Sequence, residues 1–426
     1  MKTRIMGIVT AAAMLAFAAG MSASLTIAGD DSEVASSPDA MINLSTFQAA
    51  SLVIGQVDFT GSMVNQGLDT PAADTISNGF GAAAVGPTGA LYLSDYENQR
   101  VLGFSSIPST NDADADFVLG QPDFTSTGQG TAAANQFGGP QSPVIYKKML
   151  LVSDFYDARV LIWKKAPTST QVPADIVIGQ ANFGTSSPSC TSKGLDAPET
   201  ISVGAGKLVI ADSSNSRVLI YNKIPTKNGQ KAHIVLGQKN FTTCVELNNG
   251  SGATGAPSAA NFSYPAGIWT DGKRLVVTDE DENRVLIWKK FPKKNFQKAD
   301  IVLGQPDFTS NVVNNNGSGV SGSPSASNMN MPYDGVYSNG TQLFVDDQKN
   351  ERILIWNEFP TQNFAPADAV LGQPSFTCGV PNNDGTGCHT GSASAQNLSD
   401  PTGIFQSGNQ LIVTDGNSRY LIYNGM

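Results

Sequence analysis

The fold class this sequence predicts is all-β: a six-bladed β-propeller with four-stranded blades, the last blade closed by the N-terminal strand. Three observations predict it. First, an Asp-x-x-x-x-Arg-Val-Leu segment recurs as SDYENQRVL (94–102), SDFYDARVL (153–161), ADSSNSRVL (211–219), TDEDENRVL (278–286) and DDQKNERIL (346–354), with a shortened sixth copy, TDGNSRYL (414–421). Second, a Gly-Gln segment follows in step, ending at Gln56, Gln121, Gln180, Gln238, Gln305 and Gln373. Third, the chain stops after the second and third strands of its last copy, and the missing fourth strand stands at 51–56, in SLVIGQ. Repeats at a fixed period are units that bury their apolar faces against their neighbours, so they decide the architecture before any other signal.

Within one repeat the first strand falls at 79–85, 139–145, 198–203, 265–270, 332–337 and 401–406, each after a proline or small-residue turn. A Gly-containing turn such as Asp271-Gly272 leads to a second strand, LVVTD-like, then the third, RVLIW-like, and the fourth, ADIVLGQ-like. Short runs rich in Val, Ile, Leu and aromatics between turn residues are strands, and none holds helical spacing. The third strand is apolar on both alternating faces, as in Val285-Leu286-Ile287-Trp288. A strand with one wet face would alternate, so sheets must stack on both sides of it, which is the radial stacking of a propeller.

The six arginines, Arg100, Arg159, Arg217, Arg284, Arg352 and Arg419, are spaced 59, 58, 67, 68 and 67 residues apart. Common propeller repeats run to about 40–50 residues. The excess lies between one fourth strand and the next first strand, at 61–78, 126–138, 184–197, 243–263, 310–331 and 377–400, in Gly-, Ser-, Asn- and Thr-rich sequence. Loops of that length are functional or disordered as a rule. They are expected on the face that carries the Asp-to-Arg turns, which makes that face the candidate binding surface.

The N-terminus carries Lys2 and Arg4, then an apolar or small run over 7–20, then small-residue cleavage positions up to Ala28. That order reads as a secretory signal peptide over 1–28, with 29–48 as linker and 49–426 as the propeller domain. A secreted, periplasmic or cell-surface protein follows, with no membrane span after cleavage. The four cysteines, Cys190, Cys244, Cys378 and Cys388, make an even set for an oxidising compartment, with three pairings open. Cys378 with Cys388 would close one small loop, and Cys190 with Cys244 would join equivalent loops of neighbouring repeats. A net charge of −10 argues against a nucleic-acid partner, which calls for Lys and Arg.

Pro265-x-Gly267 followed by LVVTD, a polar turn and RVLIW resembles the NHL repeat, and the resemblance covers all six copies over roughly 49–426. Asp95, Asn98 and Arg100 match its Asp-x-x-Asn-x-Arg turn, as do Asp212, Asn215 and Arg217; Asp157 and Glu282 depart from it, and the last turn is one residue short. The resemblance implies a propeller and, for most members, binding of proteins, nucleic acids or glycans; some relatives are lyases or hydrolases. A fold of this kind does not fix a function.

The repeated turn and the GQPDF tail, with Phe59, Phe124, Phe183, Phe241, Phe308 and Phe376, read as structure, because a catalytic group is needed once and a structural one in every blade. Only His233 and His389 exist, so a three-histidine zinc site is excluded within one chain. Calcium, which takes oxygen ligands, is the one cofactor left to consider, in the central channel. Glu199, Asp334 and Asp400 lie at the channel-mouth ends of their first strands and are the candidate binding residues. The expected function is a non-catalytic, monomeric binding module for a protein or polysaccharide, using the long-loop face. The alternative is a calcium-dependent hydrolase or lyase of the lactonase or strictosidine-synthase-like propeller type, with its site in the channel. An enzyme should break the six-fold pattern there, with inward carboxylates converging on one point.

Overall fold

A computed structural model describes residues 40–426. The predicted signal peptide and the first part of the predicted linker lie outside the described residues. Six four-stranded antiparallel sheets form the blades of a six-bladed β-propeller. From channel to rim, blade 1 is Ala84–Val85, Leu91–Asp95, Arg100–Phe104 and Phe117–Leu119; blade 2 is Pro140–Tyr146, Met149–Asp154, Arg159–Trp163 and Ile176–Ile178. Blade 3 is Pro198–Gly204, Lys207–Asp212, Arg217–Tyr221 and Ile234–Leu236; blade 4 is Pro265–Thr270, Leu275–Asp279, Arg284–Trp288 and Ile301–Leu303. Blade 5 is Val336–Ser338, Leu343–Asp347, Arg352–Trp356 and Ala369–Leu371. Blade 6 is Gly403–Ser407, Gln410–Asp415 and Arg419–Asn424, completed at the rim by Leu52–Ile54 from the other end of the described chain.

The closing strand pairs antiparallel in the register Leu52↔Ile422, Val53↔Leu421 and Ile54↔Tyr420. The two-faced burial expected of the third strand is seen in blade 4. Val285 and Ile287 pack with Leu343, Val345 and Leu354 of blade 5, whereas Leu286 and Trp288 pack with Val209, Val218 and Ile220 of blade 3. The core is thus a set of interfaces between blades, each fed by alternate residues of two sheets.

An outer strand has a free edge, which is an aggregation hazard unless covered. Here each strand 3–4 connection reaches back to the preceding blade. The N–H groups of Gln171, Gly229, Phe296 and Phe364 donate to the carbonyls of Val118, Val177, Val235 and Val302 in the preceding outer strands. Side chains complete the cover: Asn228, Asn295 and Asn363 accept from the N–H of Val177, Val235 and Val302 at 3.1 Å each.

One expectation needs correcting at this rim. Residues 40–48 were read as linker, but they belong to the propeller. Blade 6 has no strand 3–4 connection of its own, because its outer strand comes from elsewhere in the chain. The segment before that strand fills the gap: Phe47 N–H donates to Val370, and Ile42, 1% exposed, exchanges hydrogen bonds with the Gln342 side chain. The long loops leave the blades on the turn face, as expected, with Asn65, Asn314 and Asn382 hydrogen-bonded to Asn98, Asn350 and Asn417 of the turns, and they go on to fold over the rim. Ala259, Ala326 and Ala395 accept from Ala299, Ala367 and Ala50, next to the outer strands. Gly250, Gly317 and Gly385 lie against the rings of Phe296, Phe364 and Phe47. Asn248, Asn315 and Asn383 donate to the side chains of Gln238, Gln305 and Gln373. Glycine and asparagine serve here as tight-turn residues in an ordered cover. Two disulfides tie the same loops, Cys190–Cys244 and Cys378–Cys388, and no described cysteine is free.

Candidate functional site

The repeated turn proves to be architecture. In blade 4 the Arg284 guanidinium is fully buried and donates to Asp279 at 2.8–2.9 Å, to the Phe308 carbonyl at 2.8 Å and to the Asn261 carbonyl at 3.1 Å. The other oxygen of Asp279 accepts the N–H of Ser263 at 2.9 Å. One ion pair therefore fixes the turn, the tail of the outer strand and the approach to the first strand. Arg100, Arg159, Arg217, Arg352 and Arg419 do the same with Asp95, Asp154, Asp212, Asp347 and Asp415. The Gln of each GQPDF-like tail is also internal: Gln305 donates to the carbonyls of Asn283 and Val312 at 3.0 and 2.9 Å. The six tail phenylalanines pack, partly buried, against the interblade cores.

Variation sits immediately beside this constant frame. After the buried Asp come Tyr96-Glu97, Phe155-Tyr156, Ser213-Ser214, Glu280-Asp281, Gln348-Lys349 and Gly416-Asn417. A chain of aromatic rings runs round the channel mouth from blade 2 through blade 1 to blade 5. Phe155 and Tyr156 are 5.1 Å apart, Tyr156 and Tyr96 5.7 Å, Tyr96 and Phe80 4.8 Å, and Phe80 and Tyr333 6.2 Å. Tyr156 is 55% exposed. Over blades 5, 6 and 1 the mouth holds a cleft of about 560 Å³, lined by Phe80 with Asn78, Glu97, Gln348, Lys349 and Asp400.

Of the three predicted binding residues, the structure brings two together. Glu199 of blade 3 and Asp334 of blade 5 are both buried and share a hydrogen bond, although their blades are not neighbours. They can meet only across the channel axis. Tyr264 and Tyr333 donate to Glu199 Oε1 at 2.8 and 3.0 Å. With Phe80 against Tyr333, these side chains stopper the channel on the turn face. Burial pushes the Asp334 carboxyl well above the usual range, and the Glu199 charge adds to it. Burial also raises Glu199, against the hydrogen bonds from Asp334, Tyr264 and Tyr333. Two carboxyls in contact cannot both ionise cheaply, so the pair keeps at least one proton.

Asp400 stands apart. It is about half exposed and pairs with Lys349 at 2.6 Å. It precedes Pro401, whereas Glu199 follows Pro198; the blade 6 residue in the Glu199 position is Thr402, whose hydroxyl donates to Gly79 at 3.2 Å. Asp346 completes the break in symmetry. Ser94, Ser153, Thr278 and Thr414 hold the equivalent place and donate to the first strand of the next blade. Asp346 instead accepts from the N–H groups of Tyr333 and Gly335 at 2.9 Å each. It was not singled out from the sequence, nor were Tyr264, Tyr333 and Tyr96, yet departure from the repeat at aligned positions would have marked Asp346.

Glu280 stands beside the pair, and burial, then the Glu199 charge, push its carboxyl from 4.5 up to about 8. A carboxyl that holds its proton more tightly folded than unfolded adds stability that is complete below the unfolded value and is lost as pH rises through the folded one. Stability should therefore fall between pH of about 4.5 and about 8 on this account. Glu280→Gln is expected to flatten that fall, read as urea midpoints at about pH 5 and about pH 9. An unchanged pH profile in the variant would remove Glu280 from the account.

Calcium asks for six to eight oxygen ligands. Glu199 and Asp334 are two carboxyls, and among the described residues no group of three or more His, Cys, Asp or Glu stands close enough to hold a metal. Those two carboxyls alone fall short of a calcium ligand set. No helix among the described residues is long and apolar enough to cross a membrane. No protein-family model matches the chain, and no curated protein matches it. Fold and site together define a six-bladed propeller with a stoppered channel and an aromatic, acid-rimmed mouth.

Proposed function

We propose that this chain is an exported binding module that holds a polysaccharide at the channel mouth, on the face of the Asp–Arg turns. The observation that carries this reading is the polar cleft of about 560 Å³ around Phe80, continuous with the ring of Tyr96, Phe155 and Tyr156. A sugar presents apolar C–H faces and hydroxyl edges. Aromatic faces suit the first, and Asn78, Glu97, Gln348 and Lys349 supply donors and acceptors for the second. The cleft is polar enough to bind a hydrated ligand and too small to be a protein interface by itself. The NHL-like repeat and the paired cysteines agree with an exported member of such a group. A second reading, a hydrolase or lyase with its site in the channel, is favoured by the convergence of Glu199 and Asp334 across the axis.

Affinity electrophoresis through gels containing neutral, acidic or amino polysaccharides tests the proposal. One class is expected to retard the protein. Tyr156→Ala should weaken that retardation about tenfold with an unchanged melting temperature, since its ring is more than half exposed. Retardation by no class, or retardation equal in the variant, would overturn it.

A further inference from the structure

Beneath the stopper the channel encloses a cavity of about 170 Å³. Its walls come from the first strands of all six blades and are mostly apolar, among them Val85, Val144, Ile201, Ile268, Val336 and Phe405. One carboxyl, Asp334, faces it. Asp334 is 3% exposed, and apart from the Glu199 carboxyl neither of its oxygens has a hydrogen-bond partner. Glu199 Oε2 likewise lacks a protein donor of its own, while its Oε1 is held by Tyr264 and Tyr333. The pair presents unpartnered carboxyl oxygens at the closed end of an apolar tube.

Its setting differs from that of every turn carboxylate. The six buried turn aspartates each meet an arginine. No such cation meets Glu199 or Asp334 among the described residues. Buried carboxyl oxygens without a donor are costly, and a cationic donor would satisfy them and hold the pair ionised. A divalent metal is disfavoured by a set of two carboxyls. An ammonium group is favoured, because it is satisfied by two or three acceptors. The walls then take a hydrocarbon stem. A dry cavity of about 150 Å³ holds a benzene-sized molecule, which sets the stem at about four to six carbons.

We propose that the channel binds an alkylammonium ion, its head on the Asp334–Glu199 pair and its stem along Val144, Ile201 and Ile268. Entry is from the face opposite the turns. The first strands run from the stopper end, where Pro265 pairs with Asp279, to the hairpin end, where Thr270 pairs with Leu275. The cavity reaches Thr270 and Val203 at that far end. This site is separate from the polysaccharide cleft and stands or falls without it.

Isothermal titration of the full chain with n-hexylamine, hexan-1-ol and hexanoate tests the proposal. Hexylamine is expected to bind at least about tenfold more tightly than either other probe, as a charge-assisted contact implies. Asp334→Asn keeps the side-chain shape and should reduce hexylamine to the level of hexanol. Val144→Trp should fill the tube and abolish binding of all three, and it serves as the second variant should Asp334→Asn fold poorly. Absence of heat with hexylamine, equal affinity for hexanol, or hexylamine binding that survives Val144→Trp would each overturn the assignment.

Discussion

Replacing Arg284 with methionine is expected to cost about 3–5 kcal/mol of stability, the usual result of removing one member of a buried ion pair. The change leaves Asp279 buried and fully shielded from water without its counter-charge. It also strips hydrogen bonds from the carbonyls of Phe308 and Asn261, which the guanidinium holds at 2.8 and 3.1 Å. Methionine matches the length of the stem, so the loss is electrostatic and hydrogen-bonded rather than a cavity. The same substitution at Arg159, Arg217 or Arg352 should behave alike, because each blade repeats the geometry. Exposed Lys289→Met, five residues on, is the control and should shift stability by less than about 0.5 kcal/mol. Urea midpoints decide the matter: a loss at Arg284 no larger than at Lys289 means that the turn pairs are not what holds the blades.

Deleting everything before residue 57 is expected to have an effect of similar or greater size. The deletion takes the outer strand from blade 6 and exposes the edge of Arg419–Asn424. It also empties two interfaces, since Val53 packs with Phe344, Leu371 and Leu421 while Leu52 and Ile54 pack with Ile76, Leu93 and Ile422. An unpaired edge next to exposed apolar surface is a template for association. The truncated chain should elute as aggregate, or melt without cooperativity, in size-exclusion and thermal circular-dichroism measurements. A peptide of residues 40–56 added in trans should restore part of the transition. A milder version, Val53→Asp, buries a charge where the native side chain is 0% exposed and should cost about 4 kcal/mol or more. A truncated chain with the native melting curve would show the ring stable without its fastener.

Much of this fold was legible because period and pattern are one-dimensional. Val285 to Trp288 being apolar on both faces required neighbours on both sides, and the chain ends advertised their own pairing. The site was legible only in part. Glu199 and Asp334 could be placed on first strands from their prolines, but Asp400 sits one step before Pro401 and turns out to the Lys349 ammonium. The face from which the loops leave was legible from the strand order, but composition does not say how far a loop folds over the rim. Asn248, Asn315 and Asn383 serve as struts between a loop and the glutamine that follows the preceding outer strand. Tyr264 and Tyr333 carried no signal, since a tyrosine beside a proline in an apolar repeat looks like core.

By itself the sequence determined the number of blades, the strand order, the way the ring closes and the structural status of the Asp–Arg turns. All of these follow from repetition and alternation along the chain, which set how many equal units must share buried surface. Only the tertiary structure decided that two carboxyls from non-adjacent blades meet in a hydrogen bond across the channel axis. It also decided that the long loops seal the rim and that an apolar tube ends at Asp334. Those facts depend on distances between residues that are remote along the chain, 135 positions apart for Glu199 and Asp334, which closing the ring fixes and no local pattern encodes.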